Sequence, residues 1–354
     1  MLVNKISSQK LRKIVIRVDG HKKTGMGHIS RMITLAKYLN ELGGFKIVFV
    51  AKKSQPALDI IRRHRFTVHV IEINLSVEQE LNELSEVFIL EVPDVIIIDV
   101  LGASDDCFYL NGIKERSGAL TISFNDTHER MPELPADIVI NSSIIQMRDR
   151  AVISQKNYLG LDYCLLAPEY ANDSLLESRP ESVKRVMVCM GGVDQNSLTF
   201  KVLKILDASV NVFEFDVILS RAFTDQGKMS QIKRSMRHVA NVNYDVNGIY
   251  GLLCSVDLAV TGGGNAHSER VCAGVPGLVI SQENHQYESA LEYEKYGATI
   301  SQGLHSDLNE VELLKSFNVL LESPQLQRDM VASGLALIDG RGLYRISNLI
   351  MKEK

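Results

Sequence analysis

Several features that would assign a function at once are missing from this 354-residue sequence. The formal net charge is −4, and the short basic clusters Lys22-Lys23 and Arg62-Arg63 are typical of solvated surface rather than of a nucleic-acid-binding face. No apolar run approaches the ~20 residues that cross a bilayer, and the N-terminal stretch lacks the apolar core of a signal peptide. These absences predict a cytoplasmic protein without a transmembrane segment that does not bind nucleic acid.

The sequence is also poor in motifs of metal and nucleophilic chemistry. Its five cysteines form no Cys-x-x-Cys pair and show no zinc-like spacing with histidine. Cys164, Cys189 and Cys254 have apolar neighbours, which predicts reduced, buried thiols. There is no Asp-x-Asp motif for a metal–diphosphate bridge, no Gly-x-x-x-x-Gly-Lys-[Ser/Thr] phosphate loop and no Gly-x-Ser-x-Gly nucleophile elbow. We therefore expect neither a metal ion nor a cofactor.

What the sequence does contain is a regular alternation of short β-branched runs and longer amphipathic stretches, which is typical of parallel βαβ units. The run VIIID is apolar at consecutive positions, as a strand covered by helices on both faces requires. Strands are predicted at 13–18, 46–51, 67–71, 94–99, 119–124, 137–140, 185–190, 213–219, 242–244, 258–261, 277–280 and 299–301. Helices are predicted at 28–42, 77–90, 197–206, 246–254, 266–273, 285–296, 308–321 and 325–337.

The alternation pauses once, in a polar stretch with two prolines at 166–182, which we interpret as a linker. A chain of this length favours two domains. The predicted fold class is α/β, with one Rossmann-like domain at 1–165 and a second at 183–340, each built on a parallel sheet.

The first candidate site follows the first strand and leads into the first helix. It contains Arg17, Asp19, Gly25, Gly27, His28 and Arg31. In an open α/β sheet ligands bind beyond the carboxyl ends of the strands, glycines allow close approach, and a helix N-terminus offers free N–H groups. A tight structural turn, with His28 as a capping residue, remains the alternative. Asp99 and Asp126 end later strands, so they either line the same site or are structural.

A second glycine turn, Gly191-Gly192 followed by Asp194, ends the first strand of the second half. Two glycines before a helix indicate a turn that approaches phosphate. The alternative is a simple βα loop in which Asp194 or Asn196 caps the next helix.

The third motif contains three consecutive glycines between a strand and a helix, which are costly in chain entropy unless backbone amides must face a diphosphate. It consists of Gly262, Gly263, Gly264, Asn265, His267, Ser268 and Glu269. Glu269 would lie one turn into the helix, where its carboxylate can bind a ribose diol; otherwise it is a favourable helix-dipole residue. Gln286, after the following strand, either reaches the same ligand or caps the next helix. His267 has no assigned role.

Together the motifs resemble a known enzyme family. In order they are RVDGHKKTGMGHISRMITLAK, IIIDVLG, FNDTHE with INSSI, VCMGGVDQNS and LAVTGGGNAHSERVCAGVPGLVISQENHQ. They are similar to the nucleotide-sugar hydrolase of the pseudaminic acid pathway, which acts on UDP-2,4-diacetamido-2,4,6-trideoxy-β-L-altropyranose, and to spore-coat polysaccharide glycosyltransferase-like relatives. The resemblance covers roughly 13–345 and extends to the undecaprenyl-linked N-acetylglucosaminyltransferase of peptidoglycan synthesis, a GT-B enzyme.

The resemblance implies a GT-B fold, with two domains that face each other across a cleft and a helix over 341–354 that returns to the first domain. It makes His28 the catalytic candidate. From its place at the end of the same strand, Asp19 would either orient the His28 ring or bind a sugar hydroxyl, and Arg17, Gly25, Gly27, Arg31 and Asp99 are the candidate substrate ligands. It places the nucleotide at Glu269, Ser268, Asn265 and the glycine turns, with Gln286. The chain departs from the hydrolases at Leu101, where they carry a tyrosine, and this leaves the sugar and the reaction open.

Three functions are compatible with these residues. The first is a hydrolase that releases UDP from a modified UDP-sugar of the 2,4-diacetamido-2,4,6-trideoxyhexose type, by direct attack of water on the anomeric carbon, for nonulosonic acid and surface-glycan biosynthesis. The second is a GT-B glycosyltransferase that uses a UDP-sugar in surface polysaccharide synthesis. The third is a protein that binds nucleotide sugars without turnover. The sequence does not fix the oligomeric state, and a monomer is compatible with it.

Overall fold

The structure of the protein is a computed structural model. It describes residues 11–21, 25–104, 106–126, 134–147, 156–171, 182–192, 194, 197–219, 226–246 and 248–353. Lys22-Lys23 and most of the predicted linker, 172–181, lie outside the described residues. The chain divides into two compact units. Unit 1 is Met1–Leu165 with Gly342–Lys354, and unit 2 is Leu166–Arg341.

Unit 1 contains a seven-stranded parallel sheet in the order β3-β2-β1-β4-β5-β6-β7. Its strands are β1 Arg12–Val18, β2 Phe45–Lys52, β3 Thr67–Ile71, β4 Val95–Asp99, β5 Leu120–Phe124, β6 Ile138–Asn141 and β7 Lys156–Leu159. Its helices are α1 Gly27–Leu42, α2 Gln55–Arg63, α3 Val77–Glu91 and α4 Cys107–Ser117. The strand order reverses between β1 and β4, which creates the crevice where open α/β sheets bind ligands.

Unit 2 contains a six-stranded parallel sheet in the order β10-β9-β8-β11-β12-β13, and its order reverses between β8 and β11. Its strands are β8 Arg185–Cys189, β9 Glu214–Leu219, β10 Ala240–Tyr244, β11 Leu258–Gly262, β12 Gly277–Ser281 and β13 Ile300–Leu304. Its helices are α5 Leu198–Leu206, α6 Gln226–Ser235, α7 Tyr250–Leu253, α8 Asn265–Cys272, α9 Asn284–Lys295, α10 Glu310–Glu322 and α11 Pro324–Leu337.

Both sheets are buried on both faces, which explains their continuous apolar runs. All five residues of β4, β11 and β12 are buried, and neighbouring residues of β1 enter different hydrophobic clusters, Ile14 and Ile16 in one and Val15 in the other. Each fully buried aliphatic side chain contributes about 1.5–3 kcal/mol to folding. These cores hold the strand ends, and therefore the loops that follow them, in fixed positions.

The helix α12, Gly342–Lys352, completes the core of unit 1. Leu343, Ile346 and Ile350 pack into the cluster that contains Ile14 and Ile16 of β1. At its start, a Cβ on Gly342 would lie 2.2 Å from the carbonyl oxygen of Cys164, so only glycine permits this approach. Unit 1 is therefore built from two separate stretches of chain.

Three predictions of local structure need correction. Cys254 is exposed and Cys164 is only half-buried, whereas Cys189 is buried, because short helix and turn positions with apolar neighbours need not face a core. The helix predicted at 246–254 is limited to α7, since Gly248 takes a left-handed φ of 84° just before it. The edge strand β7, KNYL, was not predicted because it is short and carries little alternation. Among the described helices, none is both long and apolar enough to cross a membrane.

Candidate functional site

The first candidate site lies at the reversal point of unit 1, where α1 follows β1 and β4 ends. The loop between β1 and α1 is closed by a backbone bridge from His21 to Gly25, whose φ of 91° favours glycine. Gly27 is exposed and begins α1, so His28 lies in the first helical turn. Thr24 lies outside the described residues.

His28 is paired with the last residue of β4. Its Nδ1 lies 2.6 Å from Oδ1 of Asp99, a side chain with 0% exposure. Burial opposes the ionised form of Asp99, but Arg31 and His28 hold the pKa of this carboxyl well below its usual range. An ionised carboxylate can only accept, so Nδ1 carries the proton, and in the neutral ring Nε2 keeps its lone pair. Among the described residues none bonds to Nε2, and the His28 side chain is 22% exposed.

The charges around His28 keep its pKa above the ordinary value. Burial works in the opposite direction, and so does Arg31, whereas the charge and the hydrogen bond of Asp99, together with the charge of Asp126, raise the pKa. A histidine with this setting can take up a proton near neutral pH. The arrangement therefore fixes the orientation of an imidazole that could serve as a general base at the carboxyl edge of the sheet.

Arg31 binds two carboxylates at once. Its Nε donates to Oδ2 of Asp99 at 2.7 Å, and its two terminal nitrogens donate to Asp126 at 3.0 and 2.7 Å. Arg31 also contacts Oδ1 of Asp99. The atoms of His28, Asp99 and Asp126 lie within 4.8 Å of one another, close enough for a cation, but Arg31 already donates hydrogen bonds to both carboxylates and offsets part of their charge.

Arg17 and Asp19 form a separate, buried network. The Arg17 side chain is 1% exposed and donates to both oxygens of Asp19, at 2.6 and 2.7 Å, and to Glu80 at 2.8 Å. Glu80 also accepts from Tyr109 at 2.6 Å and pairs with Lys52 at 2.8 Å. Arg17 was predicted to contact substrate, but its guanidinium is buried and its hydrogen bonds go to Asp19 and Glu80. The ring of His28 is oriented by Asp99, while Asp19 is held by Arg17 and by the backbone N–H of Lys52.

The second candidate site lies in unit 2, at the glycine turn between β11 and α8. A Cβ on Gly262 would lie 2.8 Å from the carbonyl oxygen of Met190, and one on Gly263 would lie 2.8 Å from Gln286. Gly264 precedes α8 and provides no side-chain cap, so the first amides of the helix lack a side-chain acceptor. Gly264 and Asn265 are exposed. This helix start can therefore accept an anion.

Glu269 is one turn into α8 and is the most unusual group of this site. It is half-buried, and none of the described residues hydrogen-bonds its carboxylate. Burial raises the pKa of Glu269 to about 7. A buried carboxyl without a partner is costly unless a ligand satisfies it. Ser268 beside it has its hydroxyl 3.3 Å from that of Tyr293.

Two other predicted nucleotide ligands have roles within the protein. Both oxygens of Asp194 accept from the first amides of α5, Leu198 at 2.7 Å and Thr199 at 2.9 Å, which supports the capping interpretation. Gln286 accepts from the backbone N–H of Gln282 at 2.9 Å, and Gln282 donates to Met190 at 2.7 Å. Gln286 therefore holds the loop between β12 and α9 in place. Through Gln282, this loop contacts Met190, the residue before Gly191. Gly191 has a φ of 91° and Gly192 has open space around its α-carbon.

The structure also brings residues to these sites that the sequence did not single out. Tyr170 is buried beside α8 with a hydroxyl that lacks a partner among the described residues, and burial together with the charge of Glu269 raises its pKa. Glu80 and Lys52 complete the network beneath Asp19. His267 is buried, and burial and Arg270 lower its pKa, so it is a neutral interior residue. No short motif links Tyr170, Glu80 and Lys52 along the chain, whereas His267 belongs to the third glycine motif.

Comparison with known sequences identifies relatives along most of the chain, although no protein-family profile matches it. The chain is 25% identical over 344 residues to the spore coat polysaccharide biosynthesis protein SpsG of Bacillus subtilis. This alignment covers 95% of this chain and 96% of that protein. It is 26% identical over 293 residues to the uncharacterized protein MJ1062 of Methanocaldococcus jannaschii. That alignment covers 80% of this chain and 58% of MJ1062.

Solved structures decide the fold. MurG of Acinetobacter baumannii matches with a TM-score of 0.72 at 12% identity, over 97% of this chain and 100% of that one. The spinosyn rhamnosyltransferase SpnG, in complex with spinosyn aglycone, matches with a TM-score of 0.63 at 14% identity, over 96% and 99%. The chain has the GT-B fold. The predicted α/β class with two Rossmann-like, parallel-sheet domains is confirmed. The S. aureus MnaA–UDP structure also matches, with a TM-score of 0.61 at 13% identity over 96% of each chain.

Proposed function

We propose that this protein is a glycosyltransferase that moves a sugar from a UDP-sugar to an acceptor hydroxyl in polysaccharide biosynthesis. The observation that carries the proposal is the hydrogen bond between Nδ1 of His28 and buried Asp99 at 2.6 Å, which leaves Nε2 without a partner among the described residues. An oriented histidine of this kind can deprotonate the nucleophile that attacks an anomeric carbon. The similarity to SpsG, a spore coat polysaccharide biosynthesis protein, supports the same assignment.

In this proposal, unit 2 holds the nucleotide. The ribose diol donates to the carboxylate of Glu269, which lacks another partner among the described residues. The diphosphate lies against the uncapped start of α8 and the amides of Gly263 and Gly264, since helix N-termini stabilise anions. Gly191 and Gly192 keep the neighbouring loop free of side chains. The solved S. aureus MnaA–UDP complex and SpnG with thymidine diphosphate share this fold and hold nucleotides.

Unit 1 supplies the base for a single displacement. Nε2 of His28 takes the proton of the acceptor hydroxyl, and the hydroxyl oxygen forms a bond to the anomeric carbon. At the same time the bond from that carbon to the diphosphate oxygen breaks, and its electron pair leaves with UDP. Asp99 stabilises the imidazolium that forms. One displacement inverts the anomeric configuration, and the charge of the departing diphosphate is met by the amides of the glycine turn.

The hydrolase remains a second candidate, because it needs the same groups with water in place of the acceptor. The motif from Gly25 to Arg31, similar to that of pseudaminic acid pathway hydrolases, favours it, with a 2,4-diacetamido-2,4,6-trideoxyhexose as the sugar. The chain departs from those hydrolases at Leu101, which lies two residues after Asp99, is 68% exposed and stands where they carry a tyrosine.

The test is a panel of UDP- and CMP-sugars, with UDP or CMP release measured with and without polysaccharide precursors that carry free hydroxyls. The transferase predicts release that depends on the acceptor and a product that contains the sugar. Release at the same rate without acceptor would establish the hydrolase instead. Tight binding of a nucleotide sugar without release under any condition would refute both and leave a non-catalytic binding protein.

A further inference from the structure

Asp126 is a charged residue that the proposed reaction does not use. It follows β5, and its side chain is 38% exposed. Its two oxygens accept from the terminal nitrogens of Arg31 at 3.0 and 2.7 Å. One of these oxygens lies 3.8 Å from Nδ1 of His28. Asp126 therefore forms the outer end of a four-residue cluster that also contains Asp99.

The positive charge of Arg31 opposes protonation of His28. Its terminal nitrogen lies 3.0 Å from Nδ1 of His28 and shares Oδ1 of Asp99 with that ring nitrogen. The guanidinium side chain is 14% exposed and stays charged at any pH at which the protein is folded. A fixed positive charge at this distance disfavours the imidazolium that forms when His28 takes a proton.

The net charge of the cluster decides whether Asp99 can still support the base. With neutral His28, Asp99 and Asp126 supply two negative charges and Arg31 supplies one positive charge. Without Asp126, the guanidinium would cancel Asp99 and the ring would face a neutral pair. We infer that Asp126 is a positioning residue for His28: it holds Arg31 against Asp99 and offsets the charge of Arg31, so that the imidazole faces a net negative group.

The charged groups that face His28 come from three elements, and their effects agree with this role. Burial lowers the pKa of His28, Asp99 at the end of β4 raises it, Arg31 on α1 lowers it, and Asp126 after β5 raises it. Asp126 is more exposed than Asp99, so its effect should be the smaller of the two. The inference concerns the ring itself, and only its consequence for the rate rests on the proposed function.

The experiment is a charge cycle on the ligand-free protein, with the His28 imidazole titrated by NMR. In Asp126→Asn the pKa of His28 should fall by about half to one pH unit. In Arg31→Gln it should rise, because both carboxylates then act on the ring. In the double variant the net charge of the cluster returns to its original value, so the pKa of His28 should return close to that of the unmodified protein.

Two further variants separate charge from folding. Asp126→Glu keeps the charge and should keep the pKa of His28. Asp59→Asn changes an exposed aspartate of α2 that accepts only from Gln55 in the described contacts, and should leave the titration unchanged. A pKa of His28 that does not move in Asp126→Asn overturns the inference. A pKa that falls in Asp126→Asn but does not recover in the double variant also overturns it.

The rate measurement tests the proposed function separately. If His28 is the base, the acidic limb of the profile of kcat/KM against pH should move with the NMR titration in Asp126→Asn. An NMR shift without a shift of this limb supports the role of Asp126 toward the ring and refutes His28 as the base. If Arg31→Gln does not fold, Asp126→Asn and Asp126→Glu still decide the inference.

Discussion

His28 and Arg31 lie three residues apart in the first turns of α1, and both reach the same carboxylate oxygen, Oδ1 of Asp99. Residues at this spacing share one face of a helix. One helix turn therefore places a titratable ring and a permanent cation on one buried acid. The rate and the pH dependence of the reaction should follow from this shared contact.

Replacement of His28 by asparagine should lower kcat by about 10²–10⁴-fold, the usual contribution of a general base. UDP affinity should persist, because His28 is in unit 1 and the proposed nucleotide ligands are in unit 2. Steady-state kinetics and UDP calorimetry would measure the two effects. His64→Asn, at the end of α2, is the matched control. Near-normal turnover in His28→Asn, or loss of turnover only through unfolding, would remove His28 from the mechanism.

Asp99→Asn should lower kcat and move the acidic limb of the rate profile to lower pH, because Asp99 raises the pKa of His28. The same variant should also be less stable, but by less than the about 3–5 kcal/mol that an unpaired buried charge costs, because Arg31 keeps its ion pair with Asp126. Kinetics across pH and a denaturant melt would separate these effects. An acidic limb that stays in place while activity falls would show that Asp99 acts through structure alone.

Glu80 should make unit 1 sensitive to acid. Burial opposes its ionised form, but Arg17, Lys52 and Tyr109 outweigh burial and lower its pKa from 4.5 to about 2. The folded pKa lies below the unfolded one, so the stabilisation, at most about 3 kcal/mol, is present above pH 4.5 and is lost as the pH falls toward 2. Thermal melts of Glu80→Gln should show a lower Tm at neutral pH and a weaker acid dependence. Glu78→Gln, whose carboxylate is exposed, should behave like the unmodified protein.

Glu269→Gln should weaken nucleotide binding more than it slows the chemistry. The lost hydrogen bonds to a charged acceptor are worth ~1.5–3 kcal/mol, so KM and the Kd of UDP should rise at least tenfold. The pKa of Glu269 is raised to about 7, so affinity for uridine should increase from pH 6 to 8 in the unmodified protein and stay flat in the variant. Because the folded pKa is raised, ligand-free Glu269→Gln should have the higher Tm at pH 8. Unchanged UDP affinity would remove Glu269 from the site.

Activity should survive EDTA. The diphosphate has helix N-termini and glycine amides available in unit 2, and the carboxylates of Asp99 and Asp126 are already paired with Arg31. Turnover measured before and after chelation, and after addition of magnesium or manganese, checks this. Complete loss in EDTA that either metal restores would contradict it.

The sequence predicted what depends on local pattern. The apolar run of β4 and the glycine turn before α8 are local signals, and both appear where they were expected. The contacts among side chains were less accessible. Asp99 and Asp126 were recognised at strand ends, but their common partner Arg31 is 68 and 95 residues away, and only the strand order brings the three together. The role of Glu80 could not be predicted, because the sequence around it is that of an ordinary helix surface and its partner Arg17 is 63 residues away.

The position of α12 affects how the protein can be made. Leu343, Ile346 and Ile350 fill the core of unit 1 beside β1, yet the ribosome adds them only after all of unit 2. A nascent chain that has reached Leu165 carries every strand of the first sheet but still exposes the apolar surface that α12 covers. Unit 1 should therefore close late in synthesis, after unit 2 has had time to fold. A fragment that ends at Leu165 should expose this surface and aggregate, unless a separate peptide of residues 342–353 is supplied to cover it.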